Sequence, residues 1–562
     1  MQIVFHTSCI FLINGDCMSA LLVADLAVLV VDDQRPFQVM LKGILASLGL
    51  LQVQFASSGE QAMNRCSKTE FDLLFVDYNL GAGKNGRQLL QDLRERQLLK
   101  PNSIFIIVTG ENTVTMVMSA VELEPDDYLI KPFSQSLLKN RLLKLQQKKQ
   151  ELSELYEALY LQDNEKIILC CQQHIQQHGR YEQFCRRVLA ERWLLLREDQ
   201  SLETLLTSSL AQRRPSWALL LFARFRLLQQ NYQHCQQLCQ EVIDTNRLCA
   251  QAFDILSQCL LAQELKEEAF SSVQQALAIA PFHLPRQFLL MDVAREAGKV
   301  AEMVQASKQI FELTRRTNQQ DVTHLLNYIR TLLDAIEQTD DAGKRNRLQQ
   351  ETMLALHRHQ KDEQLMKNVD FVRFEQICLA RIEAIDGRYQ QIKKMLSPFQ
   401  QDITPADAEA ADLIMLLFRI GEFEEAESLL AQLPTPEKPD PVLCPLLEQQ
   451  KEKYQQVSNQ LTDLNKSGIQ LYQEGKYQEA ITIFEQAMHL APTNSGATLN
   501  LIQALLQVLN TQQKNKSLTL YQRCRQLFKT IEPSILSEQH QQRYADLQQQ
   551  YQLIRLELKQ SS

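Results

Sequence analysis

Three short stretches of this chain are apolar at every position: Ala27 to Val31, Leu73 to Val76, and Ile104 to Val108. Helix-length amphipathic segments separate them, and the alternation ends near Lys131. A strand that is apolar on both faces must be covered on both faces, and strands separated by helices run parallel. The pattern predicts a parallel sheet wrapped by helices. In such sheets the site lies beyond the carboxyl ends of the strands. Acidic residues fall there: Asp32 and Asp33 after the first stretch, and Asp77 after the second.

Three carboxylates at one sheet edge repel each other, each close pair by about 4 kcal/mol at an effective dielectric near 20. A hard divalent ion such as Mg²⁺ takes oxygen ligands and keeps several waters, so the same site would accept phosphoryl oxygens. Asp77 could then act as a carboxylate nucleophile and form an acyl phosphate. Downstream, Thr109 precedes Gly110 at a strand end, and Lys131 precedes Pro132. They offer a hydroxyl donor and a fixed ammonium, which a new phosphoryl group requires. Tyr128, three residues before Lys131, is an aromatic whose packing could follow the position of Thr109. Taken singly, an Asp pair or a strand-end Thr is usually a helix cap. Five such positions in order on a βα pattern point to phosphoryl chemistry.

In these residues the chain resembles the bacterial response-regulator receiver family, CheY-like, over roughly Leu26 to Gln147. The matching features are the Val-Asp-Asp run ending at Asp33, Val76-Asp77, Thr109-Gly110, Tyr128, and Lys131-Pro132-Phe133. The resemblance implies a flavodoxin-like α/β domain with a five-stranded parallel sheet. It implies Asp77 as phosphoacceptor and Mg²⁺ bound by Asp32, Asp33, Asp77 and the main-chain carbonyl of Asn79. It also implies Thr109 and Lys131 on the phosphoryl group, Tyr128 as the switch aromatic, a cis Lys131-Pro132 bond, and a sensor histidine kinase as phosphodonor. The chain departs from the family after Asp77: a Pro is usual there, whereas Asn79 to Gly86 is Gly-rich and slightly long. A more mobile loop is expected, with consequences for phosphate lifetime.

Beyond Pro132 the pattern is helical throughout. A chain of 562 residues exceeds one hydrophobic core, and only 16 Gly and 16 Pro favour long helices. Leu138, Leu145, Leu152 and Leu159 recur every seven residues, but Arg141 and Lys148 interrupt a coiled-coil seam. One long amphipathic helix leaving the receiver is expected; the alternative is that the stripe packs on the next helical pair. In a 34-residue window Tyr232, Lys266 and Val300 align, as do Cys235, Ala269 and Met303, and Val242, Ala276 and Ile310, the period of tetratricopeptide repeats. Gly468, Gly475, Tyr477, Ala480, Phe484, Ala487 and Pro492 form a cleaner copy, and Gly421, Phe423, Ala426 and Leu430 a partial one. Small residues let two helices approach, an aromatic fills the space beside them, and Pro stops the second helix. The expected fold is thus a receiver followed by an all-α solenoid. Its divisions are an N-terminal extension (1–24, with Met18 the favoured start), the receiver (25–147), connecting helices (148–200) and tetratricopeptide-like repeats (201–317). Irregular helical hairpins (318–400), further repeats (401–550) and a tail (551–562) follow.

A net charge of −8 gives no global attraction to nucleic acid. The 13 cysteines lack a Cys-x-x-Cys pair, which suits reduced thiols in a cytoplasm. Cys235 and Cys239 beside His234 lack two further zinc ligands and read as buried small apolar residues. No apolar run of transmembrane length follows residue 17. No hydrolase, kinase or DNA-reading motif follows residue 150, so enzymatic output is not expected beyond Mg-dependent turnover at the receiver. The array is expected to bind a protein or peptide through Trp217, Leu220, Arg224 and Leu227 in one copy, and Asn465, Ile469 and Tyr472 in another. The order of domains resembles accessory regulators of multi-component two-component systems, of the VieB kind. Two other readings stay open: a phosphate sink or phosphatase-like modulator of a kinase, and a transcription or RNA-binding regulator with a hidden basic face.

Overall fold

The computed structural model describes residues 26–560 except 82, 111–112, 316, 318–320, 360–368, 386, 397, 399–401, 435–439, 512–517, 532–535 and 537. The proposed extension and start at Met18 lie outside the described residues. The chain divides into two compact units between residues 320 and 321.

The first unit opens with β1 (Val28–Val31), β2 (Val53–Ala56), β3 (Leu73–Asp77), β4 (Ile104–Thr109) and β5 (Asp127–Ile130). They form one parallel sheet in the order β2-β1-β3-β4-β5. Its helices are α1 (Arg35–Ser47), α2 (Gly59–Cys66), α3 (Gly86–Glu95), α4 (Val114–Val121) and α5 (Gln135–Glu151). Alternate residues of each strand serve opposite cores. Leu29, Val31, Leu74, Val76, Phe105 and Ile107 pack on Ala62, Leu89 and Leu93. Val28, Val30, Phe75, Ile106 and Val108 pack on Leu41, Leu45, Leu138 and Leu142. That two-sided burial is why these strands are apolar throughout.

The single long helix expected after the receiver is two helices. α5 ends at Leu152, which adopts φ −110° and ψ 22°, and α6 (Ser153–Leu161) follows at once. The leucine stripe serves two cores: Leu138 and Leu145 pack in the receiver, while Leu152 and Leu159 join the helical array. A break between them lets each half face its own partner.

The array continues through α7 (Asn164–Gln176), α8 (Glu182–Leu196) and α9 (Asp199–Gln212). Three hairpins follow: α10 (Ser216–Leu228) with α11 (Tyr232–Thr245), α12 (Ala250–Leu261) with α13 (Lys266–Ile279), and α14 (Leu284–Glu296) with α15 (Val300–Thr314). First helices begin at 216, 250 and 284 and second helices at 232, 266 and 300, so the 34-residue register is kept at both. Cys235, Ala269 and Met303 are buried at equivalent places, as are Val242, Ala276 and Ile310. The turn within each hairpin uses one left-handed residue two positions before the second helix: Gln230, Glu264 and Gly298, with φ of 59°, 62° and 66°.

The second unit holds α16 (Val322–Gln338), α17 (Ala342–His359), α18 (Phe371–Ile385), α19 (Tyr389–Leu396), α20 (Ala410–Arg419) and α21 (Phe423–Gln432). It closes with α22 (Leu443–Gln473), α23 (Tyr477–Leu490), α24 (Ser495–Thr511), α25 (Leu518–Thr530) and α26 (Glu538–Gln560). Buried ion pairs cross it. Arg330 of α16 holds Asp412 of α20 at 2.6 Å, and Glu337 of α16 takes both Arg381 at 3.0 Å and Arg419 at 3.1 Å. Lys393 of α19 donates to Glu422 at 2.5 Å and to Ser495 at 3.1 Å. Among the described residues, no helix is long and apolar enough to cross a membrane.

Gly468 of α22 faces Phe484 of α23: a Cβ there would stand 2.5 Å from the ring. Gly475, in the following turn, has φ 80° and no atom within 4 Å of its would-be Cβ. Gly468→Ala should lower stability by about 1 to 3 kcal/mol through overpacking, and Gly475→Ala by about 1 kcal/mol through backbone strain alone. Denaturant unfolding of the chain checks both. Phe484→Leu should recover part of the first loss and none of the second.

Candidate functional site

The sheet order reverses between β1 and β3, and Asp32 and Asp77 stand at the carboxyl ends of those two strands. One oxygen from each of Asp32, Asp33 and Asp77 lies within 4.8 Å of the others, and among the described residues this is the one such group of potential metal ligands. Asp32 and Asp77 are buried; Asp33 is exposed. The Gln34 amide donates to Asp32 at 2.8 Å.

Lys131, just past β5, answers the charge. Its Nζ donates to Asp32 at 2.6 Å and to Asp77 at 2.9 Å. The same ammonium lies 3.9 Å from the centroid of the Phe37 ring, and Phe133 meets Phe37 edge-on at 6.2 Å. The Lys131-Pro132 bond is cis, as the resemblance implied. Burial pushes the Asp77 carboxyl above its ordinary range and Asp32 adds to this, while Lys131 and the Asn79 amide pull it back. The site is thus a buried, strongly anionic pocket held by one cation.

Thr109 is buried at the end of β4, and its carbonyl accepts from the Lys131 amide at 2.7 Å. Tyr128 is half-buried in β5 opposite Ile107. Arg141 of α5 donates to the Tyr128 carbonyl at 3.1 Å and to Asp127 at 2.6 Å. The five side chains expected from sequence therefore fall on adjoining strand ends, with Asn79 two residues past Asp77.

Sequence reasoning missed the residues that tie down the loop after Asp77. Glu60 of α2 accepts from the Lys84 amide at 2.9 Å, and Lys84 pairs with buried Asp92 of α3. Asn85 and Gln88 form a capping box at the start of α3. Gly86 passes so close to the site that a Cβ would stand 2.3 Å from the Asp77 carbonyl oxygen. The loop is held at its C-terminal end, through Lys84, Asn85 and Gly86. The Asn85-Gly86 pair was the available signal, as a helix start; the Glu60 contact is long-range and left none.

Trp217, Leu220 and Arg224 line a cavity of about 460 Å³, together with Met118, Val121 and Glu122 of the receiver. Leu227 packs against the apolar core of the array. In the second unit Asn465 accepts from Asn500 at 3.1 Å, Tyr472 meets the Tyr477 ring edge-on at 5.2 Å, and Ile469 is exposed. Cys235 and Cys239 are buried free thiols.

Residues 28–143 match the family described as the response regulator receiver domain, and residues 471–510 match a tetratricopeptide repeat family. Chemotaxis protein CheY-3 of Vibrio cholerae is 30% identical over 128 residues, which are 23% of this chain and 97% of that protein. Chemotaxis protein CheY of Pseudomonas aeruginosa is 29% identical over 118 residues, or 21% of this chain and 94% of that one. Among solved structures, the BeF3-activated DrrB receiver domain aligns at 24% identity, covering 21% of this chain and 96% of its own (TM-score 0.19). The Cut9–Hcn1 hetero-tetramer of the APC/C aligns at 12% identity, covering 73% of this chain and 95% of the matched chain (TM-score 0.24). A parallel sheet of this order, with the acidic residues and the lysine at its carboxyl edge, accounts for why the match falls where it does. The chain belongs to the response-regulator receiver family, and tetratricopeptide-type repeats accompany its receiver.

Proposed function

We propose that this protein is a two-component response regulator in which Asp77 accepts a phosphoryl group from a sensor histidine kinase, and the receiver's state governs protein binding by the helical repeats. The observation that best supports this is the Lys131 ammonium bonded to both Asp32 and Asp77 within a cluster of three carboxylates. Buried like charges at a sheet edge serve no packing purpose, and they match what a metal-assisted phosphoryl transfer requires.

Asp32, Asp33, Asp77 and the Asn79 carbonyl would hold Mg²⁺, which supplies neutralising charge when bound. An Asp77 carboxylate oxygen attacks the phosphorus of a phosphohistidine. An O–P bond forms, the P–N bond breaks, and the imidazole leaves with the electron pair and takes up a proton. Lys131 then gives up its direct bond to Asp77 and faces the phosphoryl oxygens, while the Thr109 hydroxyl donates to them. Tyr128 follows Thr109 inward. Water later returns the carboxylate and releases phosphate. Receiver and tetratricopeptide modules are in general non-catalytic, so the output is a protein contact, with Trp217, Arg224, Asn465 and Tyr472 as proposed contributors in a cytoplasmic setting.

Acetyl phosphate with Mg²⁺ should give a hydroxylamine-labile adduct on Asp77, seen by mass spectrometry and absent from Asp77→Asn; an adduct elsewhere, or none, refutes the reading. Lys131→Met should leave two buried carboxylates uncompensated and lower stability in chelator by about 3 kcal/mol. Because a divalent ion can replace the lost charge, Mg²⁺ should raise the unfolding midpoint of Lys131→Met more than that of the parent.

A further inference from the structure

The receiver does not stand apart from the first helical array. Two of its elements, α3 and α4, touch segments far downstream in the sequence. At the start of α3, Arg87 donates to the Leu313 carbonyl at 3.0 Å and Gln88 to the Arg315 carbonyl at 2.9 Å. At the end of α4, Glu122 meets Arg286 of α14 through two bonds of 2.6 and 3.0 Å. One turn earlier, Met118 packs into an apolar cluster of Ala250, Phe253, Ala276, Ile279 and Ala280.

We propose that Met118 and Glu122 of α4, seated in the Arg286 socket of the repeats, form a releasable docking joint through which the array reads the state of Asp77. The array surface is one fitted to a helix bearing an apolar residue and a carboxylate one turn apart, and its resident occupant is the receiver's own α4. The inference rests on the phosphoacceptor reading of Asp77 and adds the contact that transmits it.

Three features make this contact separable. The Arg286 side chain is fully buried, yet Asp254 also holds it through bonds of 2.8 and 2.7 Å, and the Ala280 carbonyl accepts from it as well. When Glu122 leaves, the guanidinium keeps a carboxylate, so no unpaired charge is stranded. The socket is built by the array alone. Beside it, the cavity of about 460 Å³ lined by Val121, Trp217, Leu220 and Arg224 shows that the two surfaces do not interlock as a core does. Finally, α4 is the next element in sequence after β4, whose last residue is Thr109, so a displacement of Thr109 is passed along the chain towards the helix that carries Met118 and Glu122.

In this proposal the docked joint belongs to the receiver whose Lys131 bonds directly to Asp77, and the phosphorylated receiver is the one that releases it. By reciprocity, anything that weakens docking then tightens binding of a phosphoryl mimic.

The chain has two tryptophans, and Trp217 lies in the cavity beside α4. In a full-length Trp193→Phe background, Trp217 emission should shift as beryllofluoride and Mg²⁺ saturate the receiver. Glu122→Gln should show the shifted emission before any addition and reach half-saturation at roughly tenfold lower beryllofluoride, since each tenfold corresponds to about 1.4 kcal/mol of coupling. Met118→Ala, which removes the apolar half of the contact, should move both readouts the same way and covers the case in which Glu122→Gln misfolds. Bound beryllofluoride seen by ¹⁹F NMR, with Trp217 emission and half-saturation unchanged by both variants, overturns the joint alone. If the parent shows no bound beryllofluoride, the phosphoacceptor reading falls and takes the joint with it.

Discussion

A single ammonium group allows the receiver to exist in the form described. Asp32 and Asp77 are both buried where parallel strands end, and the Lys131 ammonium bonded to both supplies the opposing charge. Much of the surrounding structure keeps that lysine in place. Its own amide is fixed to Thr109, Phe37 covers its head, and Phe133 supports Phe37. The backbone beneath Asp77 is equally constrained, because α3 starts at a glycine that all but touches its carbonyl.

The two units reach stability by different means. In the first, hairpins repeat on a fixed period and small side chains such as Cys235 and Ala269 let the helices close on each other. The second unit relies more on buried charge, with Arg330, Arg381 and Lys393 each sealed against a carboxylate. Such pairs gain little net energy over apolar packing, but they penalise any alternative arrangement that strands one partner. In a stretch whose helices lack a common period, that penalty gives each helix one place to sit.

How much could be read in advance depended on the range of the interaction. The strands were legible because two-sided burial leaves an uninterrupted apolar run, and the pocket because Asp32, Asp77, Thr109 and Lys131 each end or follow a strand. The 34-residue register was legible because positions that pack inside each hairpin recur in phase, as Cys235, Ala269 and Met303 do, and Val242, Ala276 and Ile310. What escaped were pairings between distant segments. Nothing near Glu60 says that it anchors Lys84, and nothing near Arg286 says that it meets Glu122. The break at Leu152 escaped for a related reason, since a regular leucine stripe looks the same whether it faces one core or two. Trp217 and Arg224 were picked out as groove residues, but that the facing surface is the receiver could not be seen.

The break at Leu152 bears on how such an arrangement can be challenged. α5 passes into α6 with no intervening coil, so the receiver is tethered to the array by what amounts to a hinge of one residue. A segment held on so short a leash faces its socket at an effective concentration in the millimolar range or above. Any molecule in solution that seeks the same surface competes with a neighbour that never diffuses away. To displace it from outside, a competitor must outmatch that effective concentration, and a shift in the internal equilibrium lowers the bar.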